Sequence, residues 1–294
     1  METQIRIERT LEAAVRRAQA EPSPARLGAA VSHALFPGGA RVRPQLCLAV
    51  ASACEADLPQ LSDAAAASIE LMHCASLVHD DMPCFDDADL RRGKATVHAA
   101  FDEPLALLTG DALIVMAFEV LAHASAAAGA EAPRRLAGLV GTLAKATGMP
   151  QGIVAGQGWE SEAEIALAPY HRAKTGALFV AATRMGALSA GADPMPWRCL
   201  GEKLGEAYQV ADDLRDAVCS AEELGKPAGQ DAVHARPNAV SELGLDGAVR
   251  RLEGLLAEAS DSIPDCRGAE ALRGLVALQA KRLMPRELAT AGVA

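Results

Sequence analysis

The chain has 294 residues, half of them hydrophobic and only 3% aromatic, and its formal net charge is -10. This acidity argues against a nucleic-acid partner. Ala and Leu recur at helical spacing while alternating β-branched runs are nearly absent, so we predict an all-α fold in a single domain over residues 1–294. The N-terminus is charged from its second residue, and we expect neither a signal peptide nor a membrane span. Seven cysteines without CxxC spacing favour the cytoplasm.

The first predicted helices run over Ile5–Ala18 and about residues 24–35, and they lead into the segment FPGGARVRP at residues 36–44. A proline and two glycines break the helix there, so the backbone of this turn can approach a ligand closely. Arg41 and Arg43 follow the glycines. A solvated basic loop is the alternative interpretation of this segment.

An apolar helix predicted over Ser62–Val78 delivers a cluster of carboxylates that begins with Asp80 and Asp81. Pro83 cannot continue the helix, so the chain must turn and can bring Asp86 back beside the first two aspartates. Several carboxylates at one helix end repel each other unless a cation neutralises them. The pattern therefore predicts a magnesium site, although a surface patch paired with the arginines of the following LRRGK segment is also possible.

Helices are predicted next over Leu107–Ala124 and Pro133–Thr147, and the apolar stretch Leu105–Ala130 is interpreted as a buried helix of a soluble bundle. Further along, Gln157 and Glu160 share a helical face. The segment HRAKTGALF then places a lysine and a threonine in an otherwise small and apolar helix.

A second acidic cluster lies in the helix predicted over Gly205–Val218. Gln209, Asp212 and Asp216 are spaced i, i+3 and i+7 and share one face, with Asp213 adjacent, so a cation or a polar ligand is expected there. The next loop carries Lys226 and Arg236, which can return positive charge to these aspartates. The C-terminal stretch over residues 243–283 is predicted to be helical.

Taken in order, these motifs resemble those of the trans-isoprenyl diphosphate synthases. FPGGARVRP resembles the isopentenyl-binding turn, HDDMPCFDDADLRRGK the first aspartate-rich motif, and YQVADDLRD followed by GKPAGQD the second aspartate-rich motif and its loop; GQGWE and KTG resemble the motifs between them. The resemblance implies an all-α bundle around a deep apolar cavity, a homodimer, and two facing aspartate clusters that hold three Mg²⁺ ions on an allylic diphosphate.

The resemblance also assigns roles. The substrates are isopentenyl diphosphate and a dimethylallyl, geranyl or farnesyl diphosphate starter. The implied catalytic residues are Asp80, Asp81, Asp86, Arg91, Lys174, Asp212 and Lys226, and the implied metal ligands are Asp80, Asp81, Asp86, Asp212, Asp213 and Asp216. Isopentenyl diphosphate is assigned to Arg43, His73 and Arg92, and the allylic diphosphate to Arg91, Gln157, Lys174, Thr175, Gln209, Lys226 and Arg236.

Two positions depart from the family pattern. Ala40 stands where a lysine usually follows the two glycines, and Arg236 replaces a second lysine, which keeps the charge but changes its shape. A non-catalytic regulatory subunit and a terpene cyclase therefore remain alternatives, together with a synthase that stops at farnesyl diphosphate, C15.

Product length is expected to depend on the helix before Asp80. In the family, a bulky aromatic residue five positions before the first aspartate often stops growth at C15, whereas this chain has Ala75 there, followed by Ser76. Both are small, so the resemblance predicts elongation to geranylgeranyl diphosphate, C20. The candidates for a deeper stop are Met72, Met116 and Phe118.

Overall fold

The computed structural model describes residues 2–36, 38–56, 58–218 and 238–283. They form two compact units, one of Met1–Ala144 with Arg184–Pro194 and the other of Lys145–Thr183 with Met195–Ala294. The predicted all-α class is confirmed, because nearly all of the regular structure is helical. The single domain over residues 1–294 stays a prediction.

The first unit is built around one long helix. Its helices are α1 Glu2–Ala18, α2 Ala25–Leu35, α3 Val42–Ala53, α4 Pro59–Asp80, α5 Val97–Ala100, α6 Glu103–Ala127 and α7 Ala132–Thr147, whose last residues belong to the second unit. Helix α4 packs along α6 and also contacts α1, α2 and α3. Proline at its first position suits a helix start, since that amide has no partner within the helix. The central place of α4 explains its nearly continuous apolar sequence.

A short β-ribbon, which the helical pattern did not predict, follows the first aspartate cluster. Strand β1, Leu90–Arg91, pairs antiparallel with β2, Lys94–Ala95. The two turn residues, Arg92 and Gly93, have φ values of 54° and 74°. Positive φ at both central positions is what a type I′ hairpin turn requires. The ribbon therefore places neighbouring arginines in different environments, one in a strand and one in the turn.

The second unit has shorter helices before two long ones. It contains α8 Ile153–Gly158, a 3₁₀ turn Trp159–Ser161, α9 Leu167–His171, a π-helical turn Arg172–Gly176, α10 Ala177–Ser189, α11 Arg198–Val218, α12 Ala239–Asp261 and α13 Ala269–Leu283. The end of α10, from Arg184, belongs to the first unit. The continuous helical stretch predicted over residues 243–283 is wrong between α12 and α13, where Pro264 lies and cannot continue a helix.

Helix α6 is long and apolar enough to cross a membrane by composition alone. Its most apolar 18-residue window has a mean hydropathy of 2.0, and 44% of that window is buried inside the structure. It packs along α4, so it is a core helix of the first unit, as the sequence predicts.

Candidate functional site

The first aspartate loop folds back as predicted. Helix α4 ends at Asp80, and the backbone amide of Asp86 donates to the Asp80 carbonyl oxygen at 3.0 Å, while the amide of Ala88 donates to the Asp81 carbonyl at 3.1 Å. These bonds return the chain to the end of the helix. The side chain of Asp80 is half-buried and that of Asp86 is exposed. The loop thus carries hard carboxylate oxygens at the rim of an apolar core.

Asp81 is held by Arg91. Arg91 Nε donates to both carboxylate oxygens at 2.7 and 2.9 Å, and Nη2 lies 2.6 Å from Oδ1. Asp81 is only 4% exposed, and this burial raises the pKa of its carboxyl group, against the opposing effect of Arg91. A forked arginine–carboxylate contact fixes the orientation of both groups. Asp81 therefore holds Arg91 beside the other aspartates of the loop.

The three residues assigned to isopentenyl diphosphate lie together in the first unit, and we call them the isopentenyl half-site. Arg43 Nη1 lies 3.4 Å from His73 Nε2, and Arg92 Nη1 donates to the Gly38 carbonyl oxygen at 2.6 Å. Arginine has only donors, so His73 Nε2 must be the acceptor in the first contact. Burial, with the charges of Arg43 and Arg92 next in importance, lowers the pKa of His73 well below its usual value. The imidazole is therefore neutral beside two cations that suit an anionic ligand.

The glycine turn allows Arg92 to come this close. Gly39 has a φ of 152°, and a Cβ atom there would lie 2.5 Å from Arg92 Nη1. A side chain at this position would displace the guanidinium from the turn. The next residue, Ala40, is exposed, and its carbonyl oxygen accepts a hydrogen bond from Gln45 Nε2 at 2.6 Å.

In the second unit, the carboxylate of Glu160 accepts hydrogen bonds from three side chains. Lys174 Nζ and the Tyr170 hydroxyl each lie 2.5 Å from Glu160 Oε1, and Gln157 Nε2 donates to Oε2 at 3.0 Å. Lys174 and Thr175 lie in the π-helical turn rather than in a regular helix. Such turns are frequent at functional sites because they redirect side chains. The predicted residues Gln157 and Lys174 are thus joined by one carboxylate.

A second chain of hydrogen bonds links the π-helical turn to α11 and α12. Thr175 Oγ1 donates to Gln209 Oε1 at 2.7 Å, and Gln209 Nε2 donates to Asp213 Oδ1 at 2.9 Å. The backbone amide of Ala239, the first residue of α12, donates to Asp213 Oδ2 at 2.8 Å. Asp213 is 3% exposed. It therefore connects the π-helical turn, α11 and α12 within this unit.

The other two aspartates of α11 are more exposed to solvent than Asp213. The Asp212 side chain is 57% exposed, with Arg215 Nη1 at 3.6 Å, and Asp216 is half-buried. The spacing predicted that Gln209 shares a helical face with Asp212, but the side-chain amide of Gln209 donates to Asp213. Lys226 and Arg236 lie outside the described residues.

The donor set of both clusters consists of carboxylate oxygens, which fit magnesium. Within residues 2–36, 38–56, 58–218 and 238–283, no three side chains of His, Cys, Asp or Glu group closely enough to hold a metal ion by themselves. Magnesium commonly takes one or two carboxylates and completes its coordination with water and phosphate oxygens. Coordination of this kind, by carboxylates together with water and phosphate, fits Asp80 and Asp86 in the first cluster and Asp212 and Asp216 in the second.

Two residues beside the predicted site residues had no role assigned to them from the sequence. Tyr170 contacts Glu160, and Glu70, buried in α4, contacts Arg41. A signal for Glu70 was present, because a lone acid inside an apolar helix needs a cationic partner. Tyr170 carries no comparable signal, because its contact joins α9 to the 3₁₀ turn ten residues earlier, which local spacing does not predict.

Known proteins are similar to this chain along most of its length. A family model described as polyprenyl synthetase matches residues 24–267. The chain is 59% identical to a geranylgeranyl diphosphate synthase of Cereibacter sphaeroides over 97% of each chain, and 52% identical to one of Rhodobacter capsulatus over 95% of each.

Solved structures are similar along most of the chain as well. An FPP/GFPP synthase from Zymomonas mobilis has a TM-score of 0.77 at 30% identity and covers 95% of this chain and 99% of its own. A geranyltransferase from Helicobacter pylori, solved with magnesium and isoprenyl diphosphate, has a TM-score of 0.76 at 28% identity and covers 94% and 96%.

Substituting the two neighbouring aspartates of α11 separates ligand binding from folding. Asp213→Asn puts an amide NH₂ where a carboxylate oxygen accepts, and we expect the free energy of unfolding to fall by about 1–3 kcal/mol. Asp212→Asn changes an exposed group, so we expect a loss below about 0.5 kcal/mol but a higher magnesium requirement. Urea unfolding followed by circular dichroism, and rates measured against magnesium concentration, check both. Equal losses of stability in the two variants would contradict the assignment of Asp213 to folding and of Asp212 to magnesium binding.

Proposed function

Because the chain belongs to the polyprenyl synthetase family, we propose that it condenses isopentenyl diphosphate with an allylic diphosphate and elongates the product to geranylgeranyl diphosphate, C20. The observation that carries this proposal is the match to two geranylgeranyl diphosphate synthases along nearly the whole chain. Dimethylallyl, geranyl and farnesyl diphosphates are the proposed starters. Pyrophosphate is the second product.

The allylic diphosphate is the group that must leave. Magnesium, when bound, neutralises the charge that develops on the departing pyrophosphate. We propose three ions per active site, held by the carboxylates of both clusters. Arg91, oriented by Asp81, and Lys174, oriented by Glu160, supply fixed positive charge for the same leaving group.

The protein must also bind isopentenyl diphosphate so that its double bond can attack the allylic carbon. Arg43, His73 and Arg92 are proposed to bind its diphosphate, since arginine forks match phosphate oxygens. The allylic carbon–oxygen bond breaks, the isopentenyl double bond forms the new carbon–carbon bond, and a proton passes to the released pyrophosphate. No protein nucleophile takes part. The nearby Cys74 agrees with this, because burial raises the pKa of its thiol to about 12.

The direct test uses the purified protein alone. It is incubated with labelled isopentenyl diphosphate, each starter and magnesium, and the dephosphorylated products are separated by chromatography. We expect C20 from wild type and a rate lower by about 10²–10³-fold in Asp80→Ala, since several kcal/mol of leaving-group stabilisation are lost. Activity that requires an added partner subunit would favour the regulatory alternative, and products that end at C15 would favour a farnesyl diphosphate synthase.

Ala40 offers a test of the isopentenyl site. Its side chain is exposed on the turn that carries Arg43, so Ala40→Lys adds a cation without displacing a buried group. One charge-assisted contact contributes about 1.5–3 kcal/mol, and we expect the KM for isopentenyl diphosphate to fall while the KM for the allylic substrate stays constant. Ala40→Gln is the control. Equal changes in both KM values would show that this turn does not bind isopentenyl diphosphate.

The proposed chain-length residues lie on α4 and α6. Ala75 is 1% exposed, whereas Ser76 is half-buried and lies four residues before Asp80, on the same helical face. At about 1.5 Å per residue, Ala75 and Ser76 lie roughly 7.5 and 6 Å below Asp80 along the axis. Met72 and Met116 are buried and Phe118 is half-buried, and they stay the proposed deeper stops.

A bulky residue at the correct position will shorten the product. We expect Ala75→Tyr to shift it from C20 toward C15, as the family pattern implies, but with lower stability because the site is already filled. Ser76→Phe should shift the product without that loss. Chromatography of dephosphorylated products and thermal unfolding of both variants are the measurements. If both variants still make mainly C20, neither residue limits the chain.

We also propose a homodimer formed through α6. Large apolar residues remain exposed along this helix, namely Leu107, Leu108 and Val115, the last with 67% exposure. Several exposed large apolar residues on one side of a helix are typical of a surface that another protein covers. Asp111 and Glu119 share the exposed side, and charged groups are costly in lipid. A second copy of the chain is therefore the proposed cover, and the cytoplasm the proposed compartment.

Mass in solution tests this interface. We expect sedimentation equilibrium to give about twice the mass of one chain for wild type and a shift to one chain for Val115→Glu, because the substitution buries an unpaired charge. Leu278→Glu on α13, at a residue that is similarly apolar and exposed, is the matched control and should leave the mass unchanged. A wild type that sediments as a single chain would refute the dimer.

A further inference from the structure

Arg41 is buried in an unusual backbone conformation at the start of α3. Its φ and ψ angles are 48° and 41°, in the left-handed region that residues with side chains rarely adopt, and its side chain is 1% exposed. Both the strained backbone and the buried charge are unfavourable unless the surroundings compensate for them. This arginine therefore has a defined set of partners.

Those partners come from three helices. Arg41 Nη1 donates to Glu70 Oε1 on α4 at 2.8 Å, and Nε and Nη2 donate to the carboxylate of Glu8 on α1 at 2.9 and 3.2 Å. Nη2 also donates to the carbonyl oxygen of Leu35, the last residue of α2, at 2.6 Å. Glu70 is itself 3% exposed. Enclosed in this way, the Arg41 guanidinium does not reach a ligand.

The pair formed with Glu70 runs alongside the pair in the isopentenyl half-site. Glu70 and His73 are spaced i, i+3 on one face of α4, and Arg41 and Arg43 stand two residues apart at the start of α3. Arg41 contacts Glu70, and Arg43 contacts His73. Both pairs therefore join the start of α3 to α4, the first buried and charged and the second partly buried.

The same turn also supports Arg92. Its guanidinium donates to the carbonyl oxygen of Gly38, three residues before Arg41. A shift of the turn would therefore move both Arg43 and Arg92, two of the three groups assigned to the isopentenyl diphosphate.

We propose that the Arg41–Glu70 ion pair is a positioning device for isopentenyl diphosphate, acting through Arg43 and Arg92 without touching the substrate. The proposal rests on the proposed function. It gives the two arginines of the turn different roles. Arg43 binds the isopentenyl diphosphate, and Arg41 holds Arg43 in place. Glu8 completes the hydrogen bonding of Arg41 from α1 and does not join α3 to α4, so it should matter less for binding.

The test compares Arg41→Lys and Glu70→Gln with two controls. Arg41→Lys keeps the charge but puts one ammonium in place of three separated nitrogens, so it cannot hold Glu70 and the other acceptors together. Glu70→Gln keeps the shape but loses the charge. We expect each to raise the KM for isopentenyl diphosphate about tenfold, equivalent to about 1.4 kcal/mol, with the allylic KM and kcat changed less than about twofold. Glu8→Gln, which removes the α1 charge, and Leu139→Ala, which removes buried side-chain volume on α7, should leave that KM within about twofold even where they lower stability.

Calorimetric titration of isopentenyl diphosphate into each protein separates this proposal from the proposed function, because it needs no turnover. Weaker binding by Arg41→Lys and Glu70→Gln, with wild-type binding by both controls, supports positioning. Equal rises in both KM values, wild-type binding by all four variants, or an equal loss in Glu8→Gln or Leu139→Ala would overturn it and leave a purely structural pair. A wild type that neither binds isopentenyl diphosphate nor makes product would instead refute the proposed function.

Discussion

The structure depends on compensating buried charge, mostly by pairing it with opposite charge. Removing an ion from water costs several kcal/mol, and a partner with complete hydrogen bonding must offset this. Within the first unit Arg41 meets Glu70 and Glu8, and Arg91 meets Asp81. Within the second unit Lys174 meets Glu160. In every case the buried or partly buried pair includes or adjoins a residue assigned to a diphosphate, so the same pairing that compensates the charges also orients groups of the site.

Helix α4 brings two of these arrangements together. Its half-buried positions His73, Ser76 and Asp80 recur at i, i+3 and i+7, and they form a polar stripe on a helix that is mostly buried. At Asp80 the stripe continues into the aspartate loop. At its other end, His73 contacts Arg43. One rigid helix thus sets the distance along its axis between the proposed isopentenyl half-site and the first aspartates.

The β-ribbon shows how adjacent identical residues acquire different tasks. Arg91 lies in the strand and reaches Asp81, whereas Arg92 lies in the turn at positive φ and reaches Gly38. In a helix the two side chains would be about 100° apart on one surface. The hairpin turn separates them further, because the two residues have different backbone conformations. The arginine pair therefore serves an aspartate and the glycine turn at the same time.

The sequence by itself determined the helical class, the family and the positions of both aspartate clusters, because these follow from periodicity and from motifs with fixed spacing. It also predicted the return of Asp86 toward Asp80, since a proline after a helix leaves few other paths. Only the tertiary structure decided which carboxylate pairs with which cation. Asp81 and Asp213 are buried acceptors while their neighbours Asp80 and Asp212 are more exposed, and Arg41 is enclosed while Arg43 meets His73. Neighbours in sequence differ in this way because burial and hydrogen bonding depend on the elements packed against each side chain, which local spacing does not contain.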